Sequence, residues 1–164
     1  MNAVNFGSVP IDDLAPREAT PYAPPFGKGR FSVELTSEFG VLQSKNGWEA
    51  VKITFANGAS LVGGTEPTGT IDATFTTAHD TSEKAVSIGA QQLTALGYAL
   101  GIAEIEGGCA NFSVDSADDA IGKLQAGVGG RVGITVTHKA RTADNGNVYT
   151  DMVVSQIFRL DDLK

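Results

Sequence analysis

The sequence predicts a mainly β domain with inserted helices, on three observations. Segments around Phe31, Val51, Ile71 and Val132 alternate apolar with polar residues, the period of a strand that buries one face. Glycine makes up 20 of the 164 residues, which favours many tight turns between short strands. Two stretches, one after Asp80 and one after Ser116, switch to apolar steps of three and four residues, the period of a helix with one buried stripe.

The elements follow in chain order. Residues 1–29 contain Pro10, Pro16, Pro21, Pro24 and Pro25 and read as an irregular N-terminal arm, because proline supplies no N–H to a ladder or helix. A first strand begins at Arg30, where Phe31, Val33 and Leu35 alternate with Ser32 and Glu34. Thr36 to Gly47 reads as a turn-rich connection ending in Asn46-Gly47, a pair that adopts positive φ readily and signals a hairpin. In the next strand, Trp48 to Phe55, the residues Val51, Ile53 and Phe55 share one face, while Trp48, Ala50, Lys52 and Thr54 share the other. Ile71, Ala73 and Phe75 then alternate with Asp72, Thr74 and Thr76 in a third strand.

A helix is expected to start at Asp80, with Glu83 completing a capping box, an apolar stripe of Val86, Gly89, Leu93, Leu96 and Leu100, and Gly101 as a left-handed cap. A second, short helix has Ser116 as N-cap, Ile121 and Leu124 as anchors and Gly127 as its stop. Two closing strands, Arg131 to Thr137 and Val148 to Phe158, flank the turn Asp144-Asn145-Gly146-Asn147 and read as a long hairpin. Strand, strand, strand, helical insert, strand, strand is the order of an OB-fold, a five-stranded barrel with a helical element between strands 3 and 4. Other meanders with an inserted helical hairpin share that order. The length suits one domain, residues 30–160, followed by a short tail at 161–164.

Composition and motifs narrow the function classes. No apolar run approaches the roughly 20 residues of a membrane span, and the N-terminus has neither a basic nor an apolar signal region, so a cytoplasmic location is expected. Cys109, the single cysteine, cannot form an internal disulfide and is expected to be a small buried apolar residue. His79 and His138 have no partners at metal-ligand spacing, no cofactor motif is present, and no nucleophile elbow or phosphate loop occurs. Gly127-Val128-Gly129-Gly130 precedes a strand instead of opening a helix and reads as a turn. The adjacent pairs Asp118-Asp119 and Asp161-Asp162 read as helix-start and solubility charges, so an enzyme is not expected.

A binding surface is the alternative. The net charge of −7 opposes bulk attraction of nucleic acid but leaves room for a local groove. Such a groove needs cations for phosphates and flat side chains for bases. Trp48 and Lys52 lie on the outer face of the second strand, with Lys45 in the turn before it. The last hairpin adds Arg131 and Lys139 on one side of its first strand, Arg141 in the loop and Tyr149 just after it. Each has a plain counterpart: Trp48 as a cap on the barrel end, the cations as solvated charges, Phe39 as a plug folded back on the core instead of a stacking residue. His138 shares the face of Val132, Ile134 and Val136 and reads as a core-edge residue.

The layout of residues 29–160 resembles that of small phage single-stranded DNA-binding proteins with an OB-type barrel. The resemblance runs through Gly29-Arg30-Phe31-Ser32-Val33-Glu34-Leu35, Asn46 to Phe55, Ile88 to Gly97 and Gly130 to Val136. It implies a non-catalytic protein that coats and protects transient single strands of DNA in phage replication or recombination, with phage or host replication and recombination proteins as partners. Separately, edge strands of small barrels often pair with copies of themselves, which makes a homodimer one expected assembly. Many such proteins end in a long acidic tail with an aromatic; this chain ends in Arg159-Leu160-Asp161-Asp162-Leu163-Lys164 and departs from that pattern. The acidic net charge favours a second class, a protein-binding accessory or host-factor-inhibiting phage module with no nucleic-acid binding.

Overall fold

A computed structural model describes residues 24–45, 47–63 and 65–162; most of the proline-rich arm, Asn46 of the expected hairpin turn and the last two residues lie outside them. The chain runs β1 (Gly29–Gln43), β2 (Glu49–Ser60), β3 (Ile71–Ala78), α1 (Glu83–Leu100), β4 (Glu104–Glu106), β5 (Cys109–Asn111), α2 (Ala117–Leu124), β6 (Arg131–Thr142) and β7 (Val148–Phe158). β3, β2, β1, β6 and β7 form one antiparallel five-stranded sheet in that order, and β4 and β5 pair separately.

The inner face of the sheet is the predicted one. Phe31, Val33 and Leu35, Val51, Ile53 and Phe55, Ile71, Ala73 and Phe75, and Val132, Ile134 and Val136 are all buried in one cluster. Each large side chain in such a cluster stabilises the fold by roughly 1.5–3 kcal/mol relative to exposure. Leu93 and Leu96 of α1 and Leu124 of α2 complete the cluster. Phe26 belongs to it as well: the ring is fully buried, packs edge-on against Phe31 with centroids 5.1 Å apart, and its carbonyl contacts His138 Nε2 at 2.8 Å. The last residues of the expected arm are thus part of the core, and His138 is the core-edge histidine expected.

β1 is much longer than its alternation suggests. The expected connection from Thr36 onward is strand as far as Gln43, and Phe39 lies in that strand, not in a loop. Four steps of β1 from Leu35 to Phe39 face only two of β2, from Phe55 to Ile53, so residues 36–38 bulge out and the period-2 pattern breaks. Thr36 Oγ1 donates to Thr54 O at 2.8 Å across the bulge, and beyond it Phe39 and Val41 return to the inner face opposite Ile53 and Val51. β2 likewise runs on through Asn57, whose φ of 52° marks a second bulge; asparagine tolerates that region better than most residues.

The sheet does not close into the expected barrel, because no ladder joins its edge strands β3 and β7. α1 packs against both of them. At Gly89 the helix backbone meets β3 so closely that a Cβ would lie 2.0 Å from the Thr76 carbonyl oxygen. Gln92 of the same helix lines a cleft between Asp72–Phe75 of β3 and Met152–Val154 of β7, so the helix stands where a closing ladder would form. α1 itself starts later than expected: Ser82, not Asp80, is its N-cap, accepting from Ala85 N at 3.1 Å, while Gly101 caps it in the left-handed region at φ 77° as expected.

Ser116 caps α2 as predicted, accepting from Asp119 N at 3.0 Å. The Glu49 carboxylate accepts from Ala117 N at 2.7 Å, tying the first turn of α2 to the start of β2. That bond holds the Glu49 carboxyl below its ordinary pKa. Gly129 N donates to Leu35 O at 2.9 Å and Leu35 N donates to Gly130 O at 3.0 Å, so the glycine-rich segment is pinned to β1 beside its bulge. Cys109 is exposed on β5, contrary to the buried position expected; the short β4–β5 pair that carries it stands apart from the main sheet.

Candidate nucleic-acid interface

The outer face of the sheet carries most of the predicted binding residues. Strand register gives their positions. Lys52 of β2 sits opposite Gly40 of β1, and its stem lies at van der Waals distance across that glycine. Its Nζ lies 3.9 Å from Asp72 on β3, a loose pair in which both side chains remain about half exposed. Asp72 also accepts from Thr54 Oγ1 at 2.8 Å. Trp48, just before β2, is half-buried, and its indole Nε1 donates to Thr76 Oγ1 at 3.1 Å, which fixes the ring against β3. Lys45 is exposed in the adjoining turn, where Ser44 N donates to Trp48 O at 2.9 Å. Phe39 does not join them: it is packed against the core from the inner face, the plug and not the stacking surface.

Arg131 begins β6 opposite Glu34. Its guanidinium donates to Ser32 Oγ at 3.0 Å, Ser32 O at 3.0 Å and Asn57 O at 2.8 Å, bracing β6, β1 and the β2 bulge. These partners are all uncharged. The side chain thus works structurally while its charge stays at the surface.

Beyond the last β1 pairing, Gly29 with Val136, the strands β6 and β7 continue as a two-stranded ribbon. Lys139 faces Asp151 there and Arg141 faces Tyr149, all on the outer side. Arg141 Nε donates to Asp151 Oδ2 at 2.9 Å, and its guanidinium carbon stands 5.3 Å from the Tyr149 ring centroid. Tyr149 is 43% exposed and its neighbour Val148 67%. Among the described residues, Lys45 and Lys139 carry no ion pair.

The predicted residues therefore divide into two groups. Lys45, Trp48 and Lys52 stand at one end of the outer face; Lys139, Arg141 and Tyr149 stand at the other, with Arg131 between. From the register, the two groups are roughly 40 Å apart along the strand path at about 3.3 Å per residue.

Sequence reasoning passed over a third group in that interval. Arg30 of β1 faces Thr135, and Phe158 of β7 faces Gly133, both on the outer side. The Phe158 ring lies across Gly133 so closely that a Cβ there would come within 2.1 Å of it. The Arg30 guanidinium carbon is 5.9 Å from the same ring centroid. A glycine inside a strand was the available signal, since it marks a close approach by another group.

Both histidines are occupied locally: His79 Nδ1 accepts from Thr81 N at 3.1 Å and Ser82 N at 3.0 Å ahead of α1, and His138 meets Phe26. Among the described residues no three His, Cys, Asp or Glu side chains gather as a metal site, and no helix is long and apolar enough to cross a membrane. Compared with known proteins, the chain matches no family model and no curated protein.

Proposed function

We propose that this protein is a non-catalytic single-stranded DNA-binding protein that coats and protects transient single strands in phage DNA replication or recombination, working in the host cytoplasm on an OB-type scaffold. The observation that carries the proposal is the outer sheet face, where cations stand beside an aromatic ring at both ends, Lys45 and Lys52 with the half-buried Trp48 and Lys139 and Arg141 with the exposed Tyr149, with Arg131 between. Phosphates need the first and bases the second. The sheet order, with α1 and α2 following the third long strand, supports the OB scaffold, in which α1 takes the place of the closing β3–β7 ladder.

An acidic protein binds single strands only if its cations are local. Arg131 meets that need, since its hydrogen-bond partners are neutral. Affinity for a labelled unstructured oligonucleotide should fall as salt rises, because each phosphate contact releases a counterion. Duplex of the same sequence should bind far more weakly. Equal binding to both, or none at low salt, contradicts the proposal.

One observation favours a second class, a protein-binding accessory or host-factor-inhibiting module. The outer side of the ribbon exposes Val153 at 37% and Tyr149 at 43%, and its other side exposes Val148 at 67%, apolar surface suited to another protein. An association that survives nuclease treatment, with no oligonucleotide binding, selects it. Self-association through the β7 edge of the distal ribbon, beyond the stretch beside α1, gives the homodimer, read by sedimentation.

A further inference from the structure

We propose that Phe158 and Arg30 form a nucleobase-stacking subsite in the middle of the outer face, joining the Trp48 end to the ribbon end; the inference rests on single-strand binding and names where a central base goes. Four observations meet there. The Phe158 ring lies across Gly133, so one of its faces is supported by backbone while the residue stays only partly buried. The Arg30 guanidinium lies over the ring at 5.9 Å, the outer limit of a cation–π contact, so a stacking base takes its place on the ring as this exposed side chain swings aside. The two residues line a cleft of about 270 Å³ with Gln156 and Asp162. Finally, strand register puts them between Arg131 and Lys139 on the same side of the sheet.

Each wall of the cleft has chemistry for one part of a nucleotide. The ring offers a π-face to a base of any identity. Arg30, exposed and without an ion pair among the described residues, is left to meet the adjacent phosphate. Gln156 uses its amide oxygen to accept from Thr135 Oγ1 at 3.3 Å, which leaves its amide N–H groups for a base edge. Asp162 would repel a phosphate, but Arg159 Nη2 lies 3.1 Å from its carboxylate and offsets that charge. A strand running from the ribbon toward Trp48 along the outer face crosses this cleft.

Stacking makes a base-specific prediction. Phe158→Leu keeps apolar cover over Gly133 and removes the ring; it should weaken binding to a thymidine oligonucleotide about ten- to a hundred-fold. The same substitution should barely change binding to an abasic oligonucleotide of equal length, and Phe158→Tyr should restore thymidine binding. An equal loss on both oligonucleotides, or no loss on either, overturns the subsite. Should Phe158→Leu fail to fold by circular dichroism, the unaltered protein is photocrosslinked to an oligonucleotide carrying 5-iodouracil. Crosslinks that include Phe158 support the subsite, and crosslinks confined to Trp48 or Tyr149 overturn it while leaving single-strand binding intact. A wild-type protein that binds no oligonucleotide overturns single-strand binding and the subsite together.

Discussion

The two halves of the β6–β7 hairpin meet at a one-residue bulge in β7, where Thr135 faces Gln156 and Val136 faces Val154, and they differ in what stands behind them. In the proximal half, Val132, Ile134, Val136 and Ile157 press into the core beneath β1 and α1. In the distal half, His138 and Met152 still meet Phe26, but from Lys139 and Asp151 outward β6 and β7 pair only with each other, and Val148 and Tyr149 are exposed. The same strand chemistry thus supplies stability where a second layer covers it and an accessible, amphipathic ribbon where none does. A two-stranded ribbon is marginal by itself, so the distal half depends on the proximal half for its shape. Stability and binding should therefore separate along a single hairpin.

The largest effect should come from the proximal core. Ile134→Ala deletes a fully buried side chain at the centre of the sheet and should cost about 2–5 kcal/mol in chemical denaturation; a cost near zero would mean that the inner face is not the core. Gly133→Val comes next. Its side chain would collide with the Phe158 ring, and overpacking of this kind costs about 1–3 kcal/mol. That variant should also bind oligonucleotide less well, because it displaces the Phe158 ring on the outer face.

The distal half should behave in the opposite way. Tyr149→Ala and Arg141→Ala should leave the thermal midpoint nearly unchanged, within about 0.5 kcal/mol, because the residues are exposed and touch mainly each other and Asp151. Tyr149→Ala should nevertheless weaken single-strand binding by about 1–3 kcal/mol in a titration. A large loss of stability with unchanged affinity would reverse the assignment of the two halves.

The smallest effect is a pH dependence outside the hairpin. Backbone N–H groups of Ala117 and Asp115 hold the Glu49 and Asp119 carboxyls below their ordinary pKa values. A depressed carboxyl contributes stability above its unfolded pKa and loses it as pH falls through its folded pKa. Glu49→Gln should therefore lower the melting midpoint slightly at neutral pH and flatten its decline in acid, measured by calorimetry across that range. A variant that melts like the wild type at every pH would show that the Glu49 tie to α2 is idle.

Much of the sheet is legible in the alternating segments, because a half-buried strand must alternate to bury one face. Ile71 to Thr76 and Val148 to Phe158 fall within or on observed strands, and both helices have the expected stripe and C-terminal or N-terminal cap. Bulges hide the rest: the extra residues after Leu35 disguise the second half of β1 as a loop, and with it the inward position of Phe39. Tertiary contacts hide Phe26, which enters the core from a stretch that alternation cannot flag. Of the candidate site, the cations and aromatics at the two ends were readable as residue types on an outer face. Arg30 and Phe158 were not, since only the pairing of Phe158 with Gly133 brings them together.

Single-strand binding on the outer face is tested most directly by fluorescence anisotropy of a labelled unstructured oligonucleotide titrated at low and moderate salt, against duplex of the same sequence. The predicted result is tight binding to the single strand that weakens steeply with salt, and little binding to the duplex. Absence of binding at low salt, or equal affinity for both forms, would contradict it.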